Sequence, residues 1–394
     1  MTYYLIFLLL LIVFASFDTN VKKGIKKREN YIFVYIAFLN LIVIRSFVDV
    51  VSLPDLSYYE HLFDDCRLFN YDNIFYNADV IGVEGGFLLF TKICRDLSST
   101  FSFELMVIGI TIVTIYFRII KQYSPYFWLG ILVYFLTIFP TSTYILRQYL
   151  AMALLFGTIP FIIERRIVPF VIVVAIAFFM HHSSVVWISF YFVYGVKDKK
   201  TLALLLAGLI SILFVVDNLF SQALDMMGDN FERYQDYVKG YKVTTSYWGA
   251  MMNTVLLILY MLLFKKKAFD EGLNRLLLIY IVVTVALSWV SVNSVGLMFR
   301  LSVYFSQISI LLIPKIVSGV KDMQTKRTIA LLLVLSCFLP NYIVKRDFHE
   351  HRMLIPDSLS LIIVVIVGSW IVFELFVKPN KKIISIGSFW KKKL

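Results

Sequence analysis

Residues 142–161 read STYILRQYLAMALLFGTIPF, an apolar run with Arg147 near its start. A charged side chain in such a run is costly unless it faces water, another protein group or a ligand. The rest of the chain decides between those outcomes. It has 394 residues, 60% of them hydrophobic, and a mean hydropathy of +0.80. An average soluble protein is about half apolar. Similar runs recur from one end to the other, separated by short charged loops. A β-barrel would show short alternating strands instead. The reading is an all-α, polytopic integral membrane protein, with 1–394 as one membrane domain.

The net charge of +12 invites a nucleic-acid partner, but its placement argues against one. The basic residues form short clusters between apolar runs, where they orient a protein in a bilayer. Cys66, Cys94 and Cys337 lie far apart with no CxxC spacing, so neither a metal site nor a disulfide framework is expected. The run Tyr3 to Phe17 has no basic residue before it and five just after it, which suits an uncleaved first helix starting outside.

Membrane helices are expected at about 3–17, 31–48, 101–120, 126–146, 147–164, 167–180, 183–196, 201–216, 248–264, 276–295, 297–317, 328–344 and 359–377, about 13 in all. The basic segments VKKGIKKRE (21–29), ERR (164–166), KDKK (197–200), KKKAFDEGLNR (265–275), KDMQTKR (321–327) and the tail 378–394 go inside. This works if GGFLLFTKICRDL (85–97) does not cross but lies as an interfacial or re-entrant helix on the outer side. Two large outer loops result, about 49–100 and 217–247. Residues 49–84 alone carry eight acidic side chains and one arginine. A further outer loop at 345–358 carries Lys345, Arg346 and Arg352, which breaks the trend of basic residues inside. No internal repeat is evident, which counts against a transporter.

On this map Arg45, Arg147, His181, His182 and Arg300 fall near the outer ends of helices. Taken singly, each arginine could snorkel to headgroup phosphate, and the histidines could form a hydrogen-bonded turn. Taken together they form a cationic set facing acidic loops, which suits an anionic headgroup. Arg pairs bidentately with phosphate, and His serves as a general base near neutral pH. The outer loops add Tyr58, Tyr59, Phe63, Tyr71, Phe75 and Tyr76, then Phe231, Tyr234, Tyr237, Tyr241, Tyr247 and Trp248. Aromatic faces beside carboxylates suit sugar rings; an interfacial aromatic belt is the plainer explanation.

These residues resemble the EpsG/Wzy-like family of polysaccharide polymerases. The likeness rests on Arg45 followed by Asp55, Tyr59 and Phe63. It rests also on Glu84, Gly86 and Phe87 in an EPGF-like EGGF, on Leu146, Arg147, Gln148 and Ala151, on His182–Ser183, and on Arg300 with Tyr304 and Phe305. The family's proline is Gly85 here. The resemblance implies a metal-independent glycosyltransferase, without cofactor, in a bacterial cytoplasmic membrane, N-terminus outside and C-terminus cytoplasmic. It implies transfer of glycan between undecaprenyl-pyrophosphate-linked repeat units at the outer face, in O-antigen, capsule or exopolysaccharide synthesis. It further implies a chain-length regulator and a flippase as partners, besides membrane lipid. His182 and Glu84 would be catalytic. Arg147, Arg300, Arg45, Gln148, Asp55, Tyr59 and Tyr304 would bind substrate. A lipid-linked oligosaccharide flippase or transporter, or a membrane acyltransferase using His as base, are the other readings.

Overall fold

The computed structural model describes residues 31–338, except 54, 209–210, 212–246, 271 and 293–295. The expected helices 3–17 and 359–377, the loop 345–358 and nearly all of 217–247 lie outside the described residues, as do parts of 201–216 and 328–344. Every regular element among the described residues is helical.

The chain enters through α1 (Tyr31–Ser46). The expected outer loop then folds into α2 (Leu56–Asp65), α3 (Ile74–Ile81) and α4 (Gly85–Leu97). At 13 residues α4 is about 20 Å long, too short to span a bilayer, and it buries Phe87, Leu88 and Cys94 on one side. Lys92 is tolerated within it because its ammonium reaches Asp96 one turn on, at 2.6 Å.

α5 (Phe101–Tyr123) is the long central helix, packed between α1 and α8 (Leu146–Phe156). The run expected at 126–146 divides into α6 (Phe127–Thr137) and α7 (Phe139–Ser142). Pro140 lacks an N–H and is accommodated in a first helical turn, so the break falls just before it. Pro160 does the same after Gly157 and Thr158, where α8 gives way to α9 (Ile159–Ile163). α10 (Ile167–Met180) returns antiparallel and packs on α8 and α4. A 3-10 helix, His182–Trp187, then leads into α11 (Ile188–Gly195).

Beyond the gap, α12 (Tyr247–Phe264) pairs with α13 (Leu273–Val290), and α13 with α14 (Gly296–Ser306). α14 and α15 (Ser309–Gly319) meet at a 41° bend. Gln307 occupies the bend, accepting from Tyr116 Oη at 2.7 Å and donating to the Tyr304 carbonyl at 2.8 Å. α16 (Met323–Phe338) closes the described chain. An aromatic stack ties the halves together. Trp187 lies 5.8 Å from Phe305, Phe190 4.8 Å from Phe305 and 4.2 Å from Tyr280. In lipid such contacts stabilise through packing rather than removal from water.

Four helices among the described residues are long and apolar enough to cross a membrane: Phe101–Tyr123, Leu146–Ile163, Tyr247–Phe269 and Leu273–Val290. Counting the bent α14–α15 pair as one span gives five. These are several of the expected spans, not the full 13. The breaks at Pro140 and 307–308 shorten runs that read as continuous in the sequence.

Candidate functional site

The expected site residues begin with Glu84, which caps the N-terminus of α4 from an extended backbone. It reaches two cations from other segments. Arg147, second residue of α8, places Nη1 2.5 Å from Oε2. His181, just past α10, places Nδ1 2.6 Å from Oε1. The backbone N–H of His182 also points to Oε1, at 3.4 Å. Close packing of α4 on α10 makes this reach possible. A Cβ on Gly86 would lie 2.6 Å from Phe179 Cβ and 2.7 Å from the Phe179 carbonyl oxygen, so only glycine lets the helices approach this far.

The carboxyl is nearly buried, with 6% of Glu84 exposed. Burial would raise its pKa. The His181 hydrogen bond and the Arg147 charge outweigh it and hold Glu84 at about 2. Glu84 is therefore an acceptor only, and the proton between it and His181 belongs to Nδ1. With Nδ1 committed to Glu84, Nε2 is the ring nitrogen left for proton transfer, the arrangement of a carboxylate-oriented general base.

Tyr59 completes the near side of Arg147. Its hydroxyl accepts from Nε at 3.3 Å, and its ring packs edge-on against Phe87 at 5.7 Å. Burial raises the phenol pKa, so it stays protonated despite the arginine. Asp55 sits one turn earlier, exposed, at φ 64, a left-handed conformation that Asp tolerates better than most residues. On the far side Gln148 donates to the Arg300 carbonyl at 3.2 Å. One turn beyond Arg300, Tyr304 Oη lies 3.0 Å from Ser183 Oγ. Segments around residues 59, 84, 147, 181–183 and 300–304 thus converge. α8 adds its positive end, for Ile145 provides no side-chain cap.

Two expectations meet a different placement. His182 is exposed and its imidazole rests on Phe178 at 4.9 Å, so the ring that touches Glu84 is that of His181. The extended backbone at His181, φ −161, sends the first of the two rings inward. Arg45 is wholly buried and donates to Ser142 at 2.8 Å, its stem lying along Gly109. It links α7 to α1 and α5. The Arg147–Glu84 ion pair has no local signal in the sequence, because nothing local links residues 63 apart.

Exposed Tyr58, Tyr71, Phe75 and Tyr76 lie on the same loop helices. Tyr71 donates to Asp96 at 2.6 Å, and Phe75 packs on Gly85. Phe231, Tyr234, Tyr237 and Tyr241 lie outside the described residues. Among the described residues, no three His, Cys, Asp or Glu side chains are arranged to hold a metal ion.

A family model described as the EpsG family matches residues 51–359, a stretch that includes Glu84, Arg147, His181 and Arg300 but begins after Arg45. No curated protein and no solved structure matches the chain. With well over half of its length matched, the chain belongs to the EpsG family.

Proposed function

We propose that this chain is a polysaccharide polymerase that transfers glycan from one polyprenyl-pyrophosphate-linked unit to another at the outer face of the bacterial cytoplasmic membrane. Family membership points to the polymerase-type function. The observation that carries the finer reading is one carboxylate, Glu84, bound at once to a histidine and an arginine from distant helices.

In this reaction the acceptor sugar hydroxyl attacks the donor's anomeric carbon. Its proton passes to His181 Nε2, and Glu84 stabilises the imidazolium that forms. The bond from the anomeric carbon to the pyrophosphate oxygen breaks, and the lipid pyrophosphate leaves. Arg147 and Arg300, with the positive end of α8, bind the charge that builds on it. Because the leaving group is the lipid pyrophosphate, no nucleotide sugar is required. The exposed Tyr58, Phe75 and Tyr76 offer faces for sugar rings, and Asp55 an acceptor for their hydroxyls.

The test is glycan analysis of cells lacking the gene, with and without its restoration. Single repeat units left on the carrier agree with the polymerase. Carrier stranded on the inner leaflet would instead indicate a flippase, and normal chain lengths lacking acyl groups an acyltransferase.

A further inference from the structure

The opposite end of the bundle holds a second cationic feature. Arg147 opens the span Leu146–Ile163 and Arg165 follows its end, about 27 Å away at 1.5 Å per residue. There Arg165 stacks 4.0 Å over the Tyr191 ring and donates to the Tyr191 carbonyl, so it neutralises the C-terminal end of α11. Arg275 has no such task. It is 4% exposed, and its Nε and Nη2 are buried without a hydrogen-bond partner. Among the described residues no carboxylate lies within ion-pair distance of it. Its nearest aromatic is Tyr194, 5.8 Å from Cζ to ring centre.

A guanidinium taken out of water without an anion is strongly unfavourable. Its surroundings offer the place for one. Arg275 sits in the first turn of α13, where helical side chains lean back toward the N-terminus. That N-terminus is capped by Gly272, which has no side chain to satisfy the helix and open space where a Cβ would stand, although the Arg275 N–H is taken by the Asp270 carbonyl at 3.2 Å. The Tyr194 hydroxyl, accepting from Gly272 N–H at 2.9 Å, fixes the Tyr194 ring beside both. This is the end expected to face the cytoplasm.

We infer that Arg275 and the N-terminus of α13, beside Tyr194, form a binding site for a phosphate group. The group is the headgroup phosphate of an anionic lipid or a free phosphate ion. Both present the oxygens that a guanidinium fork and a helix N-terminus accept. The inference does not depend on the proposed polymerase activity.

The experiment uses the full-length protein, purified and stripped of lipid in detergent. Binding of phosphatidylglycerol, phosphatidylcholine and inorganic phosphate is measured by native mass spectrometry and by thermal shift, for wild type, Arg275→Met and Arg275→Lys. Wild type should retain phosphatidylglycerol over phosphatidylcholine if the source is a lipid, or bind inorganic phosphate equally well if it is a free ion. Arg275→Met should bind at least about tenfold more weakly, as expected when hydrogen bonds to an ion are lost. Without ligand it should be as stable as wild type or more so, since an apolar replacement for a buried charge is often neutral or stabilising. Should Arg275→Met fail to fold, Arg275→Lys decides the matter: it keeps the charge, loses the fork and should bind more weakly. Binding unchanged by the substitution that folds would overturn the inference. So would a wild-type protein that prefers neither anion to phosphatidylcholine.

Discussion

Arg147→Met, Glu84→Gln and the double variant separate a structural ion pair from a working site. Glu84→Gln leaves Arg147 without its carboxylate, while Arg147→Met leaves Glu84 with His181 as its remaining partner. The Glu84 pKa, held at about 2 against an ordinary 4.5, corresponds to roughly 3 kcal/mol of net interaction, which the His181 hydrogen bond and the Arg147 charge share. Removing one partner of a buried pair costs roughly 3–5 kcal/mol in general. Arg147 is 23% exposed at its side chain, which puts the expected loss toward the lower figure. The double variant removes both charges, so most of the penalty should vanish, with a coupling of at least about 1.5 kcal/mol. Polymer synthesis should not return, because the base has lost its carboxylate and the pyrophosphate its arginine. Stability is read as thermal unfolding of purified protein in detergent, and function as polymer chain length in cells lacking the wild-type gene. Strictly additive losses would show that the two side chains do not stabilise each other. A stable double variant making polymer of normal length would remove both from the chemistry.

Arg147→Lys should lower turnover about tenfold to hundredfold at matched protein level, through loss of one hydrogen bond to an ion. Full activity would mean that any cation serves, as for a side chain that only reaches headgroups. His181→Ala should abolish polymerisation and His182→Ala should reduce it modestly, since only the backbone N–H of His182 meets Glu84; the reverse order in a chain-length assay would return the base to His182. The folded pKa of Glu84 lies below its unfolded value, so its contribution to stability is whole above about pH 4.5 and lost as pH falls toward 2. The difference in melting temperature between wild type and Glu84→Gln should thus stay level from neutral pH to about 5 and narrow only below that. Narrowing between pH 7 and 5 would contradict the pairing.

Hydropathy alone identified the helical membrane class, and the short length of 85–97 with its three charges marked α4 as a helix that does not cross. The interruptions were less legible. Pro140 lies inside an apolar run, and hydropathy has no means of weighting its missing N–H against the run around it. The 307–308 bend carries no proline at all; it depends on Gln307 meeting Tyr116 from another helix. The site residues were named through family resemblance and charge placement, but not their partners. Glu84 and His181 are 97 residues apart, and which of two adjacent histidines turns inward depends on one extended backbone position. Arg45 shows the opposite difficulty. It has the sequence character of a ligand-binding arginine, yet Gly109 opens a slot for its stem and Ser142 provides an acceptor in the interior.

Gly86 offers a test of whether the packing of α4 on α10 sets the chemistry. Glu84 stands two residues before Gly86, and His181 two residues after Phe179. The contact between Gly86 and Phe179 is therefore the nearest fixed point to the carboxylate–imidazole bond. A methyl group at Gly86 would meet Phe179 Cβ at 2.6 Å and main-chain atoms at 2.7 and 2.9 Å, none of which can swing aside. The helices must separate. Ala gains about 1 kcal/mol over Gly in helix propensity, while overpacking costs roughly 1–3 kcal/mol, so the fold should survive with a small net loss. The site should not, since a misplacement of about 1 Å can cost on the order of a hundredfold in rate. Gly85→Ala is the control. Its methyl group would first meet the ring of Phe75, a side chain that is 55% exposed. The resemblance agrees, for the family carries proline at that position. Melting temperature should accordingly change little in Gly85→Ala, and polymer chain length only as far as Phe75 contributes a sugar face. In Gly86→Ala activity should fall far more than stability. Equal activity in the two variants would mean that the Glu84–His181 distance is not what α4–α10 packing controls.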